Sequence, residues 1–463
     1  MPLVACVDFG STFTKAALVD TRTGDLVATA SHRTTIDTDV LDGWDACLQQ
    51  LAATEPRARK AKVLACSSAG GGLRIAVVGN EALVTAEAGR RVALSSGGKV
   101  VHVVSGGLDP EKLEHLRASE PDVVLLVGGT DGGNAEVLLS CAATLAEARW
   151  AGPVVVAGNV DARDEVAALL GAAATPFVLA DNVVPQIGVL APASARSAIR
   201  EMFLRHVIGG KHLSDRADFT AMVRGATPDV VLTAVELLGQ GLDAERPGAG
   251  DVVVVDVGGA TTDVHSVVEL DPEDAGLARE VVATVPVTRT VEGDLGLRWS
   301  AVTAVREGLA AGVIAREAAE ELEAAARVRR ADPAFLPGTP EEARQDELIA
   351  VAAVTVAVRR HAGRQQVTFA AEGAAGPGGR VVERSGKDLR EVDVLIGSGG
   401  ILRNNPDDVA GRILGAVVGE APGGWQLPRA PRVLVDRDYV LAPAGLLAER
   451  YPEASYALLA RLR

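Results

Sequence analysis

The chain is poor in aromatic and sulfur-containing residues. Aromatic residues make up only 3% of its 463 residues, whereas 48% are hydrophobic. We therefore expect a core built mainly from Ala, Val, Leu and Gly. The four cysteines, at positions 6, 47, 66 and 141, are widely separated and form no Cys-x-x-Cys pair. This spacing indicates buried thiols in a reducing compartment and counts against an iron–sulfur protein, which needs clustered thiolates.

Positive charge and long apolar runs are also scarce. The chain has 46 Lys and Arg against 61 Asp and Glu, a formal net charge of −15, so nucleic acid and anionic membranes are poor partners. The apolar run at 348–358 is too short to cross a bilayer. The first predicted strand leaves no room for a signal peptide. We expect a cytoplasmic protein whose phosphate site, if it has one, is built locally from backbone amides, one or two cations and a metal.

Two stretches of the chain align without a gap. Residues 4–15 and 252–263 each consist of an apolar strand, an Asp-x-Gly turn with small and hydroxyl residues, and a second strand. The offset is 248 residues (256 − 8), a little over half the chain. One glycine hairpin is ordinary. The same hairpin at the start of each half predicts two related lobes that face one shared ligand.

The rest of the pattern predicts an α/β protein with an insertion. The first lobe is expected to open with the order β-β-β-α-β, and the second with strands at 252–256, 262–268 and 281–288. In between, short strands alternate with helices, which predicts parallel strands with right-handed crossovers. The expected divisions are the start of the first lobe at 1–74, the α/β insertion at 75–184, a helical segment with a linker at 185–250, and the second lobe at 251–463.

The two hairpin turns carry groups that a polyphosphate requires. In the first turn, Gly10 permits close approach of the backbone and Lys15 supplies a cation. The other amide and hydroxyl donors of this turn are Ser11, Thr12 and Thr14. The second turn repeats the device with Gly258, Gly259, Ala260, Thr261 and Thr262.

Each turn follows a strand that ends in a carboxylate, Asp8 in the first hairpin and Asp256 in the second. Two carboxylates beside a polyphosphate require a cation between them, and hydrated Mg²⁺ fits best because it keeps its waters and bridges phosphate oxygens. We expect Asp8 and Asp256 to hold the metal through water, and one of them to orient the attacking water. Lys15 would offset the charge on the transferred group, so no dedicated nucleophile is required.

A third glycine-rich turn follows a predicted strand at 392–396 and precedes a helix that starts near 406. Its residues are Gly397, Ser398, Gly399 and Gly400. Glycines at this point would let a flat adenine–ribose face lie against bare backbone.

The ordered triplet of turns resembles the actin/heat-shock-chaperone/sugar-kinase ATPase superfamily, in which two ribonuclease-H-like lobes clasp MgATP. The resemblance implies an α/β fold of two ribonuclease-H-like lobes of the actin-like ATPase type, with a β-α-β-α insertion in the first lobe. It also implies that residues 10–15 form the first phosphate loop, 258–262 the second, and 397–400 the adenosine loop.

Six motifs in order resemble a single family, the accessory proteins of methylaspartate (glutamate) mutase, called the MutL/GlmL family. They lie at 8–15, 128–134, 179–182, 256–266, 290–296 and 397–400. The resemblance implies a protein that binds and slowly hydrolyses MgATP and acts as a chaperone for an adenosylcobalamin-dependent mutase. Its lobe closure on ATP would change its affinity for the mutase subunits.

Two other functions fit the same scaffold. A small-molecule kinase or ATP-dependent ring-opening hydrolase would need a carboxylate near the substrate as general base, and the sequence singles out none. A nucleotide-gated filament or scaffold protein is a third possibility. The insertion resembles in pattern the flavodoxin-like domain that holds cobalamin in mutases. Either it occupies the surface that the mutase offers to that domain, or it is an ordinary α/β elaboration.

Several polar residues have two interpretations. Asp181 and Asn182 fit helix capping or a role near the metal, and Glu292 and Asp294 fit capping or a contact with the nucleotide. His265 follows Asp263 in an Asp-x-His pattern found among cobalamin ligands, but its place in a predicted strand favours an ordinary polar strand residue.

Overall fold

The computed structural model describes residues 2–82, 84–269, 285–369 and 380–463. Its strands in chain order are β1 Leu3–Phe9, β2 Phe13–Asp20, β3 Leu26–Arg33, β4 Lys62–Ser67, β5 Leu73–Val78, β6 Gly98–Val104, β7 Val123–Leu126, β8 Val154–Val156, β9 Phe177–Leu179, β10 Val223–Ala226, β11 Gly241–Asp243, β12 Arg246–Pro247, β13 Val252–Val257, β14 Thr262–Val267, β15 Val287–Glu292, β16 Arg364–Phe369, β17 Arg380–Ser385, β18 Val394–Ser398 and β19 Arg432–Val435.

The helices are α1 Val40–Thr54, α2 Thr85–Ser95, α3 Pro110–Ala118, α4 Glu136–Glu147, α5 Arg163–Ala172, α6 Ala193–Met202, α7 Ile208–Gly210, α8 Ala217–Met222, α9 Thr227–Gln240, α10 Ala301–Ala310, α11 Arg316–Ala331, α12 Pro340–His361, α13 Gly400–Arg403, α14 Asp407–Gly415, α15 Leu441–Ala448 and α16 Pro452–Leu459. Short 3₁₀ turns lie at Pro56–Lys60, Ala69–Gly71, Val160–Ala162 and Ala460–Leu462, and a π-helical turn lies at Phe203–Val207. Within the described ranges, none of these helices is long and apolar enough to cross a membrane.

The chain divides into two compact units. Unit 1 holds residues 2–233 and 442–458, and unit 2 holds residues 234–269, 285–441 and 459–463. The first sheet of unit 1 has the order β10-β4-β1-β2-β3, in which β1, β2 and β3 are antiparallel neighbours and β4 and β10 run parallel to β1. Counted along the sheet from β3, the order is 3-2-1-4-5, the arrangement of a ribonuclease-H-like lobe.

The sequence of this sheet explains its position in the core. Every residue of β1 is buried, as expected for a central strand covered on both faces. Helix α1 packs against the sheet and begins at Asp39, whose side chain accepts a hydrogen bond from the Leu41 amide. Its buried face includes Trp44, Cys47 and Leu51, at the spacing of one face of a helix.

The second sheet of unit 1 is entirely parallel and has the order β6-β5-β7-β8-β9. Numbered within the insertion, this is 2-1-3-4-5, the flavodoxin-like order. One face of β5, with Ile75 and Val77, belongs to the same hydrophobic core as Leu3 and Phe9 of the first sheet. The opposite face of β5, with Val78, packs in a separate core beneath α3, α4 and α5. The insertion therefore shares a core with the first lobe rather than standing apart from it.

Unit 2 repeats the order of the first sheet. Its strands lie in the order β15-β14-β13-β18-β19, with β13 antiparallel to β14 and parallel to β18. Helices α10 and α12 supply residues such as Val305 and Val354 to the core of this sheet. The two 3-2-1-4-5 sheets, one in each unit, and the parallel insertion confirm the predicted fold class.

Three local expectations differ from the structure. Residues 185–250 are not uniformly helical, because β10 forms the fifth strand of the first sheet and β11 and β12 form a small hairpin. The third strand of the second lobe is Val287–Glu292, later than the predicted 281–288. Strand β5 and helix α2 complete the parallel insertion, although the sequence pattern did not predict them. Residues 373–379, where the glycine-rich sequence predicts a loop, lie outside the described residues.

Candidate functional site

The first candidate phosphate loop is the turn between β1 and β2. The strands pair in antiparallel register, with Asp8 opposite Lys15, so both side chains lie on the same face of the sheet. The Gly10 amide donates to the Phe13 carbonyl over 3.2 Å. A Cβ atom at position 10 would lie 2.7 Å from that carbonyl oxygen. The close turn therefore requires glycine, as the sequence indicated.

The carboxylate of Asp8 is buried near the carboxyl end of β1. Its neighbours are side chains from β4 and from the start of α9. The Thr227 hydroxyl donates to Asp8 Oδ1 over 2.5 Å, and the Cys66 thiol lies 3.6 Å from the same atom. Asp8 is only 4% exposed. Thr227 begins α9 and Cys66 lies in β4, so the carboxyl ends of β1, β4 and β10 meet around this side chain.

The hydroxyl residues of the first turn have different surroundings. Ser11 is exposed and Thr12 is half-buried, while the Thr12 hydroxyl oxygen is buried without a hydrogen-bond partner among the described residues. Thr14 is fully buried, and its hydroxyl lies 3.3 Å from that of Thr34. Because Thr14 alternates with Lys15 along β2, its side chain lies on the opposite face from Asp8. A direct role of the Thr14 hydroxyl in binding phosphate does not fit this placement.

The second candidate phosphate loop, between β13 and β14, reproduces the first residue for residue. Asp256 lies opposite Asp263, at the positions that correspond to Asp8 and Lys15. The Gly258 amide donates to the Thr261 carbonyl over 2.8 Å, as Gly10 does to Phe13. Thr262 is buried like Thr14 and donates to the Leu295 carbonyl. The two turns thus share backbone geometry, but the lysine of the first is replaced by an aspartate in the second.

The loop after β18 lies directly beside the second phosphate loop. In the parallel register of β13 and β18, Asp256 is opposite Ser398. Gly399 has φ +99°, and a Cβ there would lie 2.2 Å from the Val257 carbonyl oxygen. Only glycine fits this conformation and approach. Gly397 and Ser398 belong to the strand itself, Gly399 makes the turn, and Gly400 opens α13. Within unit 2, the structure brings the predicted phosphate and adenosine loops together.

The segment after β15 supports the second phosphate loop from behind. The Leu297 amide donates to the Gly258 carbonyl over 3.1 Å, and the Arg298 amide donates to the Gly259 carbonyl over 2.8 Å. The Ser300 hydroxyl contacts the Ala260 carbonyl at 2.9 Å and the Gly293 carbonyl at 2.8 Å. The carbonyl groups of three successive loop residues are therefore held on one side by this segment.

A buried ion pair lies beside the same loop. Arg289 Nη2 is 3.1 Å from Asp263 Oδ1, and Arg289 is 3% exposed. Burial raises the pKa of the Asp263 carboxyl even though Arg289 opposes the rise. His265 is buried in β14, and burial holds the pKa of its imidazole well below the usual value. His265 thus has the placement of the strand residue that the sequence favoured.

Glu292 and Asp294 are neither capping residues nor unpaired. Arg360, near the end of α12, donates from Nη1 to Glu292 over 2.7 Å and to Asp294 over 2.9 Å. Arg360 Nη2 also pairs with Glu307 over 2.7 Å. This cluster joins the end of β15 to α10 and α12, which is a structural role for both acidic residues.

The polar residues at the carboxyl ends of the insertion strands bond mainly with one another. Asn182 Nδ2 donates to the Gly129 carbonyl over 3.0 Å and to Asp131 Oδ1 over 2.8 Å. Asn134 Oδ1 accepts from the amide of Glu136, which opens α4. Asp181 pairs with Arg163 over 2.9 Å. The described residues contain no cluster of three or more metal-ligating side chains.

Sequence reasoning missed two residues of the site. Thr227 falls in the stretch for which the sequence predicts a helical segment with a linker, and the Thr-Pro pair at 227–228 is the local signal of a helix start there. Ser300 has no local signal of its own, because its two carbonyl partners come from a loop 40 residues earlier and from Gly293.

Comparisons with known proteins place the chain in a family. The family model described as MutL protein matches residues 4–462. The protein named MutL from Clostridium tetanomorphum is 36% identical over 461 residues, which cover 98% of this chain and 97% of that protein.

The solved structures are more distant. An activator of the 2-hydroxyisocaproyl-CoA dehydratase from Clostridium difficile with bound ADPNP is 10% identical, with a TM-score of 0.31, and the match covers 98% of this chain and 95% of that one. A ligand-bound xylulose kinase from Lactobacillus acidophilus is 11% identical, with a TM-score of 0.28, over 100% and 98% of the two chains. The match to the family model over nearly the full length and the 36% identity to a curated relative show that this chain belongs to the MutL family.

Proposed function

We propose that the protein binds MgATP, hydrolyses it slowly, and serves as an accessory protein for an adenosylcobalamin-dependent mutase of the glutamate/methylaspartate type. The observation that carries the nucleotide part is the hairpin built twice with the same glycine turn and strand register, once in each unit. Membership of the MutL family and the resemblance of the ordered motifs support the accessory role. The cytoplasm is the proposed location.

The first hairpin has suitable groups for the reacting end of the nucleotide. Asp8 is a buried carboxylate oriented by a hydroxyl donor, and Lys15 lies opposite it on the same face. In the proposal, Lys15 offsets charge on the transferred phosphoryl group, the Ser11 and Thr12 backbone supplies amide donors, and Gly10 permits their close approach.

The second unit has suitable groups for the remainder of the nucleotide. The carbonyls of residues 258–260 are occupied by the 297–300 segment, and the Gly258 amide is bonded to the Thr261 carbonyl. This leaves the amides of Gly259 and Ala260 as the groups to meet a phosphate. Gly399 and Gly400 offer side-chain-free backbone next to this loop and would accept the adenosine. In the proposal, Asp256 holds the metal from this side.

The donor set of the two hairpins fits hydrated Mg²⁺. Asp8 and Asp256 are each the last residue but one of a strand, and carboxylates suit a hard cation that keeps most of its waters. When bound, Mg²⁺ would neutralise charge on the β- and γ-phosphates. Asp8 and Asp256 would hold its waters, and Thr227 would keep the Asp8 carboxylate in one orientation.

An accessory role requires that the ATP state change the affinity for the mutase. A ligand shifts a conformational equilibrium only through different affinities for its states. We propose that ATP favours closure of the two units on the nucleotide, and that the closed and open forms bind the mutase subunits with different affinities.

The deciding experiment measures phosphate release by the purified full chain, alone and with mutase subunits. We expect slow Mg²⁺-dependent hydrolysis that the subunits stimulate. Asp8→Asn and Asp256→Asn should each lower the rate by at least about 100-fold, because each removes a charge held for the metal. Asp25→Asn in unit 1 and Asp332→Asn in unit 2 are matched controls, since both residues are exposed and lie outside the loops.

The outcomes separate the proposal from its rivals. Turnover unaffected by either loop substitution contradicts the nucleotide site. If mutase subunits do not change the rate of ATP hydrolysis, but sugars, hydantoins or oxoproline raise it, the accessory role is contradicted. That result would support a kinase or ring-opening enzyme on the same scaffold.

A further inference from the structure

Unit 1 contains a surface pocket that is separate from all three loops. It encloses about 500 Å³, the open mouth included, and is lined by side chains from β4, α6, β10 and α9 and by the chain around the end of α15. None of its lining residues belongs to residues 10–15, and the other two loops lie in unit 2. The pocket therefore needs an explanation of its own.

Three arginines line this pocket, and two of them have unused hydrogen-bond donors. No hydrogen bond or ion pair joins the Arg450 guanidinium to any part of the chain that the structure describes. Arg224 uses Nη1 for the carbonyls of Ala221 and Val223, at 2.8 and 2.9 Å, and its Nε and Nη2 have no acceptor among the described residues. A guanidinium has five donors in a fixed fork that matches an oxyanion.

The third arginine is shared with a buried acid. Arg200 Nε donates to Asp229 Oδ2 over 2.6 Å, and the Asp229 side chain is only 2% exposed. Arg196 lies 3.7 Å from the other oxygen of Asp229. The negative charge of Asp229 is thus compensated by two arginines. The Arg200 side chain is 38% exposed, so its positive charge also lies at the pocket.

The charge of the lining is positive although the whole chain is strongly negative. Arg200, Arg224 and Arg450 oppose the single carboxylate of Glu449, a net of +2 (3 − 1) on the pocket wall, against −15 for the chain. Arginines on a surface usually disperse or pair with acids. Here three of them line one pocket, and Arg224 and Arg450 have donors that no described acceptor uses, which favours a ligand of opposite charge.

Two of the arginines belong to regular secondary structure, Arg200 to α6 and Arg224 to β10. Arg450 lies in the short turn between α15 and α16. Gly445 of α15 lies so close to α9 that a Cβ atom there would be 1.9 Å from the Val230 carbonyl oxygen. This contact sets α15, and the turn that carries Arg450, against the helix that carries Asp229.

We propose that this pocket binds a small oxyanion with at least two negative charges, held by Arg224 and Arg450 with help from Arg200. The ligand carries a phosphate group or two carboxylates. This inference does not depend on the proposed nucleotide site.

The test is titration calorimetry of the full chain with inorganic phosphate and, separately, with succinate, at low ionic strength. The wild-type protein should bind one of the two saturably. Arg450→Gln and Arg224→Gln should each weaken binding about tenfold, the effect of losing one charge-assisted contact. Arg205→Gln is the matched control, because Arg205 lies in the same unit, is 66% exposed and pairs with Glu201; it should leave the affinity unchanged.

Each result decides the question. Absence of binding to both ions, or equal affinity in wild type and Arg450→Gln, overturns the proposal. Arg450→Gln is decisive because the Arg450 side chain makes no hydrogen bond or ion pair with the described residues. Arg224, in contrast, also donates hydrogen bonds to two carbonyls. Loss of phosphate binding in Lys15→Ala but not in Arg450→Gln would assign the ion to the first phosphate loop and equally overturn it. The preferred ion identifies the ligand as phosphate-bearing or dicarboxylic.

Discussion

The Thr227 hydroxyl donates a hydrogen bond to Asp8 Oδ1 across 219 residues of sequence, over 2.5 Å and out of contact with solvent. The contact exists because β10 is the fifth strand of the first sheet and ends beside β4 and β1. Helix α9 begins at the next residue, so its first hydroxyl meets the carboxylate at the end of β1. A residue near the middle of the chain thus orients the acid of the N-terminal turn.

Replacement of Thr227 by valine should lower the rate of ATP hydrolysis. Valine keeps the shape of threonine but removes the donor, so the buried Asp8 carboxylate loses a charge-assisted hydrogen bond of about 1.5–3 kcal/mol. We expect kcat/KM to fall by roughly 10- to 100-fold, mainly through kcat, if the Asp8 orientation matters for the reacting state. Steady-state phosphate release over a range of ATP concentrations measures both constants.

Thr227→Ser is the control because it keeps the hydroxyl and removes only a methyl group. It should retain most of the wild-type rate. Equal losses in the serine and valine variants would show that packing at this position matters, rather than the hydrogen bond.

The parts of the site that sequence predicted are local. The glycine turn with its preceding acid is written in contiguous residues, so the 4–15 and 252–263 match anticipated the strand register and the turn. The two ribonuclease-H-like lobes were expected from resemblance to a superfamily. The alternation of apolar strands and helices also predicted the parallel insertion, apart from β5 and α2.

The parts that sequence missed depend on contacts between distant segments. Strand β10 has only four residues, including a glycine and an arginine, and its neighbours are helical, so periodicity cannot separate it from them. For Asp294 the sequence leaves capping and a contact with the nucleotide open, and neither pattern signals the ion pair with Arg360. Thr14 belongs to the right motif, but strand alternation puts its side chain on the far face.

Removal of the Ser300 hydroxyl should weaken nucleotide binding. This hydroxyl contacts the carbonyls of Ala260 and Gly293 and joins the supporting segment to the second phosphate loop through a side chain. Loss of about 1 kcal/mol of hydrogen bonding should raise KM for ATP roughly fivefold, with a smaller change in kcat. Ser119→Ala, which removes a comparable contact to the Leu116 carbonyl in unit 1, should leave KM unchanged. Equal KM values in all three proteins would refute a supporting role for Ser300.

Two glycines near the end of unit 2 should respond to alanine in opposite directions. Gly399 has φ +99° and faces the Val257 carbonyl, so Gly399→Ala should lower the free energy of unfolding by about 1–3 kcal/mol through strain alone. Gly411 lies inside α14 with open space around it, so Gly411→Ala should raise that free energy by about 0.5–1 kcal/mol. Urea denaturation of both variants provides the comparison. A neutral Gly399→Ala would show that the turn relaxes without strain.

Lys387 is the most unusual buried base in unit 2. Its ammonium nitrogen bonds to the Ser266 hydroxyl at 3.1 Å, to the Pro286 carbonyl at 2.6 Å, and to the Thr288 hydroxyl. It is 6% exposed, and no ion pair joins it to a carboxylate within the described ranges. Burial lowers the pKa of Lys387 from 10.5 to about 7. The folded protein therefore releases this proton more readily than the unfolded chain does.

The contribution of Lys387 to the stability of the protein should consequently rise with pH above neutrality. Between pH 7 and 10.5 the unfolded chain holds the Lys387 proton and the folded protein does not, so deprotonation favours the folded state. The contribution to the free energy of unfolding is smallest below pH 7 and grows by up to about 1.4 kcal/mol per pH unit. In Lys387→Met that slope should disappear, whereas Lys60→Met, at an exposed position, should keep it. Urea midpoints at pH 7.5, 8.5 and 9.5 for the three proteins measure the effect. Parallel pH profiles for wild type and Lys387→Met would mean that Lys387 stays protonated in the folded protein despite its burial.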